Sequence, residues 1–277
     1  MKKTGGVIGY GVLGKAYAKA LGIDMYIDLV KSNVELEEMC ERAKWILICV
    51  PTPPTKEGDC DTSNAEQWVK KIAEVGNDNV IVVRSTVIPG TAERLMKKHS
   101  VEIISAPEFL TESTAYEDAM EPDLKVIGSR KKELAEEFFE YLKSARNHDA
   151  YNPHLVITDN TTAEFIKYSI NSFYATKVIF ANEIYNTAQD MGVDYSAVME
   201  AMYNRKWIGN NHLKVVHKGK RGYAGKCLPK DTLAFSRLTK SQLLELVSHI
   251  NKGLVAGDDE KVWEQVLQGE DPANFKN

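Results

Sequence analysis

Through the first half of the chain, short runs rich in β-branched and aliphatic residues alternate with helical patterns, and this alternation limits the possible folds more than any other feature. Strands are expected at Gly6–Ile8, Met25–Asp28, Trp45–Val50, Val80–Arg84, Val101–Ser105 and Leu124–Ile127. Helices are expected between them at Val12–Leu21, Val34–Arg42, Ala65–Val75, Thr91–Lys98 and Lys131–Lys143. Parallel neighbours in a sheet need crossovers, and crossovers are usually helices. The pattern therefore predicts an α/β fold, a doubly wound parallel sheet with helices on both faces. Near Pro153 the pattern changes. Thr161-x-x-Glu164 has capping-box spacing, and a run free of Pro and Gly continues to Met191 before Gly192 stops it. Ile166, Ile170, Phe173, Ile179 and Ile184 fall near helical spacing, which predicts one helix of about 30 residues. Asp194 opens a second helical segment ending near Tyr203, a basic loop covers Asn204–Lys226, and helical patterns resume at Thr232–Leu238 and Ser241–Asn251. Gly269–Asn277 reads as a polar tail.

Composition narrows the function. The 277 residues suggest about two domains, and with 43% hydrophobic residues, 18 Gly and 9 Pro the chain is neither collagen-like nor disordered. The longest apolar run, Trp45–Val50, is far short of the roughly 18 residues of a membrane helix, so no membrane partner is expected. A net charge of −4 supplies no cationic field for nucleic acid, and any phosphate must be held locally. Lys2 and Lys3 before an apolar stretch, with Ala18-Lys19-Ala20 beyond it, imitate a secretory signal. Gly5, Gly6, Gly9, Gly11 and Gly14 would break its helix. Cys40, Cys49, Cys60 and Cys227 show no paired C-x-x-C spacing, so no metal site is expected and a reduced, cytoplasmic protein is.

Gly9-Tyr10-Gly11-Val12-Leu13-Gly14 follows an expected strand and opens an expected helix. The first Gly permits a tight turn, the second lets backbone approach a pyrophosphate, and the third lets helix pack on strand. Asp28, nineteen residues after Gly9, stands at the end of the next strand, where an acid accepts hydrogen bonds from ribose hydroxyls and favours NAD over NADP. Lys31 is close enough to soften that preference. A Rossmann-like NAD-binding domain is therefore expected over residues 1–153, followed by a smaller all-helical domain over 154–277 that contains the long helix.

Reactive side chains are densest in Gly222-Tyr223-Ala224-Gly225-Lys226-Cys227-Leu228-Pro229-Lys230-Asp231. A Cys at the mouth of a helix, beside Lys226 and Lys230, is a nucleophile candidate. Cys40, Cys49 and Cys60 are expected to be structural. Lys167 and Asn171, four apart, project from one face of the long helix, where they form either a solvated patch or a pair of donors to an oxyanion.

Two further segments end strands at the edge where such sheets bind ligands: Arg84-Ser85-Thr86-Val87-Ile88-Pro89-Gly90 and Ser105-Ala106-Pro107-Glu108-Phe109-Leu110-Thr111-Glu112. Together with Val50-Pro51-Thr52-Pro53, the Gly-rich turn, Lys167 with Asn171, and C-L-P-K-D, they make the chain resemble the UDP-glucose/GDP-mannose dehydrogenase family, with the motifs in order. The resemblance implies oxidation of the C6 alcohol of a nucleotide sugar, UDP-glucose in the first place, to a carboxylate in two NAD-dependent hydride transfers. It implies Cys227 as the nucleophile, Lys167 and Asn171 as the oxyanion pair, and Glu108 and Asp231 as acid/base groups with Thr86 ordering a water. Which carboxylate acts in which step stays open. Thr52, Thr86, Glu112 and Lys230 join Gly9 to Gly14 and Asp28 as expected NAD contacts. Glu108, Phe109, Leu110, Glu112, Lys167, Asn171, Gly222, Tyr223, Gly225 and, more loosely, His212 are expected to hold the sugar nucleotide. A homodimer through the long helix is also implied. Three departures stand out: Ala224 where the family has Gly, a short stretch between Asp28 and Trp45, and too few residues after Leu254 to build the family's third, uridine-binding domain. Two other readings remain open, a single-step β-hydroxyacid-type dehydrogenase and a non-catalytic NAD- or nucleotide-binding protein.

Overall fold

The computed structural model describes residues 4–76, 78–145, 151–209, 211–217 and 219–257. The polar tail expected at Gly269–Asn277 and the lysines Lys2 and Lys3 lie outside these residues. The described residues form two compact units. The first comprises the chain up to Pro53 with Cys60–Lys167, and the second Pro54–Asp59 with the chain from Tyr168 onward.

In the first unit β1 (Thr4–Ile8), β2 (Met25–Ile27), β3 (Ala43–Ile48), β4 (Val80–Val83), β5 (Glu102–Ser105), β6 (Leu124–Gly128) and β7 (His154–Thr158) form one sheet in the order β2-β1-β3-β4-β5-β6-β7. The first five run parallel, β6 joins β5 antiparallel through Ser105 and Gly128, and β7 follows β6 in parallel. The connecting helices are α1 (Val12–Leu21), α2 (Leu36–Arg42), α3 (Ser63–Val75), α4 (Thr91–His99), α5 (Ala115–Met120) and α6 (Lys132–Ala145). Period-two alternation assigns the strand residues to two cores. Val7, Trp45, Leu47 and Val82 pack with Tyr17, Ala115 and Phe138 of α1, α5 and α6. Ile8, Ile46, Ile48 and Ile81 pack with Met39, Val69 and Leu95 of α2, α3 and α4. Burying one such Ile contributes about 2 kcal/mol. Because the order places β1 between β2 and β3, the ligand crevice of this sheet is expected at the carboxyl ends of β1 and β3.

The expected boundary at residue 153 moves. His154–Thr158 is not the entry to an all-helical domain but β7, paired residue for residue with β6. The second unit takes up from Tyr168 within α7 (Asn160–Asp190), then α8 (Tyr195–Asn204), α9 (Leu228–Thr239) and α10 (Gln242–Ala256). Two small clusters form its core: Val178, Ile179, Tyr223, Val247 and Ile250, and Ala181, Ala188, Tyr195, Leu213 and Val215. Among the described residues no helix is long and apolar enough to cross a membrane.

Candidate active site

The turn after β1 is shaped by steric necessity. Gly9 has φ +91, and a side chain there would meet the Cys49 backbone at 2.7 Å. A Cβ on Gly14 would lie 1.9 Å from the Gly9 carbonyl oxygen, so only glycine lets α1 start this close to the turn. Gly11 is the opposite case. It is the N-cap of α1 with no side chain capping the helix, and nothing lies within 4 Å of where its Cβ would be. The first N–H groups of α1 therefore face an open approach suited to an anion, with Val12 exposed and Leu13 half-buried beside them. Tyr10 stacks on Tyr26, with ring centroids 3.9 Å apart, and its N–H donates to the Asp28 carboxylate, which ties the turn to the end of β2.

At the ends of β4 and β5 the expected site residues separate into two environments. Glu108 is buried and accepts from the Tyr17 hydroxyl, the Arg84 guanidinium and the N–H groups of Phe109 (2.9 Å) and Leu110 (3.2 Å). Lys125, buried in β6, lies 3.6 Å from the same carboxylate and donates to Tyr17 at 2.8 Å. Burial by itself would raise this carboxyl, but Lys125 and Arg84, with the Tyr17 and Phe109 donors, hold it at about 2. A carboxylate so fully engaged anchors the Phe109–Leu110 backbone. The second environment is a small cleft lined by Val83, Ser85, Thr86, Val87, Ser105, Pro107, Glu164 and Lys167. Thr52 is buried and donates to the Thr86 carbonyl at 2.8 Å, so its hydroxyl braces that loop. Lys167 Nζ lies 5.2 Å from the centre of the Phe109 ring. Glu112, in a short turn after β5, is exposed, and Leu110 is half-buried.

In the second unit, Cys227 is exposed and occupies the N-cap of α9, one turn before Asp231. Asp231 is fully buried. It accepts from Asn171 Nδ2 at 2.6 Å and pairs with Lys230 at 2.5 Å. Thus Asn171, Lys230 and Asp231 form one network at the head of the helix that presents Cys227. Lys230, expected to contact NAD, spends its charge inside this network. Gly222 and Gly225 adopt the left-handed backbone region, at φ +71 and +90. Tyr223 between them departs from the expected sugar contact. Its ring is buried in the helical core, where burial pushes the phenol up to about 12, and its backbone exchanges two hydrogen bonds with the Asn251 amide. Ala224 is exposed, so its additional methyl meets no crowding within the unit. His212 stacks on Tyr174 with centroids 4.1 Å apart, and burial, with Lys177 nearby, lowers its pKa. Among the described residues no group of three His, Cys, Asp or Glu side chains is placed to hold a metal ion.

Sequence reasoning missed Arg84, Lys125, Tyr17, Asn160, Glu164 and Asn251 as site-shaping residues. Only Lys125 carried a signal, a cation at an inward position of a strand. The Thr161–Glu164 capping box is not formed. Asp159 caps α7 by accepting from Thr162 N at 2.9 Å, while Glu164 turns to α4 and β5.

Two sequence profiles match the chain. The NAD binding domain of the UDP-glucose/GDP-mannose dehydrogenase family covers residues 24–144, and the central domain of the same family covers residues 161–253. The glycine-rich turn precedes the first match and rests on its own geometry. A UDP-glucose 6-dehydrogenase of Rickettsia bellii is 34% identical over 226 residues, 78% of this chain and 50% of that protein. The UDP-glucose 6-dehydrogenase TuaD of Bacillus subtilis is 32% identical over 248 residues, 81% of this chain and 52% of TuaD. The structure of a UDP-glucose dehydrogenase from Pyrobaculum islandicum superposes with a TM-score of 0.75 at 28% identity, covering 97% of this chain and 70% of that one. The chain spans about half the length of the curated relatives it matches. On both matched domains and the shared fold, the chain belongs to the UDP-glucose/GDP-mannose dehydrogenase family.

Proposed function

We propose that the chain acts as an NAD-dependent nucleotide-sugar 6-dehydrogenase with UDP-glucose as substrate. The observation that carries this reading is Cys227, exposed at the head of α9 and one turn from the Asn171–Asp231–Lys230 network. The relatives named UDP-glucose 6-dehydrogenase support the sugar. The cofactor is assigned to the first unit. The open side of Gly11 and the uncapped N–H groups of α1 suit a pyrophosphate, and Asp28 suits ribose hydroxyls. Bound there, NAD supplies a hydride acceptor, needed twice per sugar. The covalent step is assigned to Cys227. Its thiolate bonds to the C6 carbon of the aldehyde, giving a thiohemiacetal whose carbon then loses hydride to leave a thioester. Water cleaves the C–S bond, returning the thiol and releasing the carboxylate. Lys167 and Asn171 are assigned to the oxygen that becomes negative, Thr86 to ordering the water, and Asp231 to proton transfer. Glu108, saturated by cations, is left to shape the loop.

We also infer a homodimer on α7, because Phe165, Phe173 and Phe180 recur along one side of it and are all exposed. Four free cysteines support a cytoplasmic location. The test of the reaction is NADH counted per sugar for the full chain with UDP-glucose, UDP-N-acetyl sugars and GDP-mannose. Two per UDP-glucose are expected, one would indicate a single-step dehydrogenase, and none on any sugar would leave a binding protein. Cys227→Ser is expected to stop after the first NADH, and two NADH from that variant would overturn the covalent step.

A further inference from the structure

Helix α4 begins in an unusual way. Its N-cap is Gly90, held at φ +93, a conformation that favours glycine and so excludes a capping side chain at that position. The cap comes from far along the chain. Glu164 Oε2 accepts from Gly90 N at 2.6 Å, and Oε1 accepts from Ala92 N at 3.0 Å and from the Ser105 hydroxyl at 2.9 Å. Glu164 sits on the same stripe of α7 as Asn160, four residues before it, and Lys167, three after it. Asn160 accepts from Ser105 N at 2.8 Å, so both donors of Ser105 are held by α7. Thr86 and Lys167 line one cleft with Glu164. A local capping residue would start α4 equally well. It would not tie α4 and β5 to the stripe that carries Lys167.

We propose that Glu164 is a positioning residue, which fixes the Thr86–Gly90 loop against the first two turns of α7 and so sets where Lys167 stands relative to Thr86. This rests on the dehydrogenase reading for its catalytic consequence, but not for its structural one. Both carboxylate oxygens accept, so an amide in their place turns one N–H toward another donor. Glu164→Gln keeps the size of the side chain and breaks the arrangement.

The test compares the full chain with Glu164→Gln and Ser105→Ala. In Glu164→Gln, amide exchange at Gly90 and Ala92 is expected to rise about tenfold while Ile46 and Ile81 keep their protection. In the NADH assay kcat is expected to fall about 100-fold with KM for NAD changed less than about threefold. Ser105→Ala, which removes one of the donors to Glu164, is expected to show both effects in smaller degree. Unchanged exchange at Gly90 and Ala92 would overturn the proposal whatever the activity. Faster exchange with an unchanged kcat would overturn the link to Lys167, and a wild-type chain that reduces no NAD would count against the dehydrogenase reading while the exchange result still decides the clamp.

Discussion

Glu108 and Glu164 are both buried carboxylates of the first unit, and they titrate in opposite directions. Glu108 meets full charges, Lys125 and Arg84, and is held at about 2. Glu164 is lifted to about 7 by burial, although the N–H groups of Ala92, Gly90 and Thr91 and the Ser105 hydroxyl donate to it. The contrast shows how much more an opposite charge in direct contact returns to a desolvated carboxylate than hydrogen bonds from neutral donors do. It also separates two uses of an acid, one as a permanent counter-ion and one as a clamp that sits close to its own titration point.

The most severe way to break the comparison is Glu108→Gln. Two buried cations would lose their counter-charge, and a stability loss of about 3–5 kcal/mol is expected from urea denaturation. A loss below about 1 kcal/mol would mean that the cations do not depend on Glu108.

The pH dependence sharpens it further. From an ordinary value of 4.5, Glu108 contributes stability that is complete above about 4.5 and lost as pH falls through about 2, on the order of 3 kcal/mol. Glu164 has the reverse sign. Its contribution is complete below about 4.5 and lost as pH rises through about 7. Glu164→Gln should therefore gain stability relative to wild type between pH 5 and pH 8, over the same interval in which its turnover is impaired. Parallel pH curves for wild type and Glu164→Gln would show that Glu164 does not titrate there.

The smallest effect is expected from Lys125→Met. Arg84 remains beside Glu108 and the replacement is apolar and of similar length, so a loss of about 1 kcal/mol is expected, with the acid transition moved to higher pH. A loss as large as that of Glu108→Gln would mean that Arg84 alone does not hold the carboxylate.

Features whose causes are local were legible in the sequence. The turn at Gly9–Gly14, α1 at Val12–Leu21 and the first six strands follow from spacing that neighbouring residues enforce. The elements missed have weak local causes. Among the described residues β7 pairs with β6 alone and shows no clean alternation of burial, and α5 has six residues, too few to show a helical period. The clusters around Glu108 and Glu164 join residues tens of positions apart, so no local pattern announces them. Glu164 even imitates a local motif, because three-residue spacing from Thr161 is what a capping box needs. Cys227 at the head of a helix was legible, since Pro229 and the charged residues after it mark a helix start. That the Tyr223 ring belongs to the core was not, because a Gly-flanked aromatic suits either place.

The four thiols divide by accessibility as well as by unit. Cys40, Cys49 and Cys60 are buried in the first unit, and burial pushes Cys40 up to about 11 and Cys49 up to about 12. Cys227 alone is exposed, and it belongs to the second. An alkylating reagent at neutral pH is therefore expected to consume one equivalent from the native protein, and each later equivalent records an opening of the first unit. The molecule carries its own gauge of breathing in the nucleotide-binding half, read by mass rather than by optical signal and independent of any substrate.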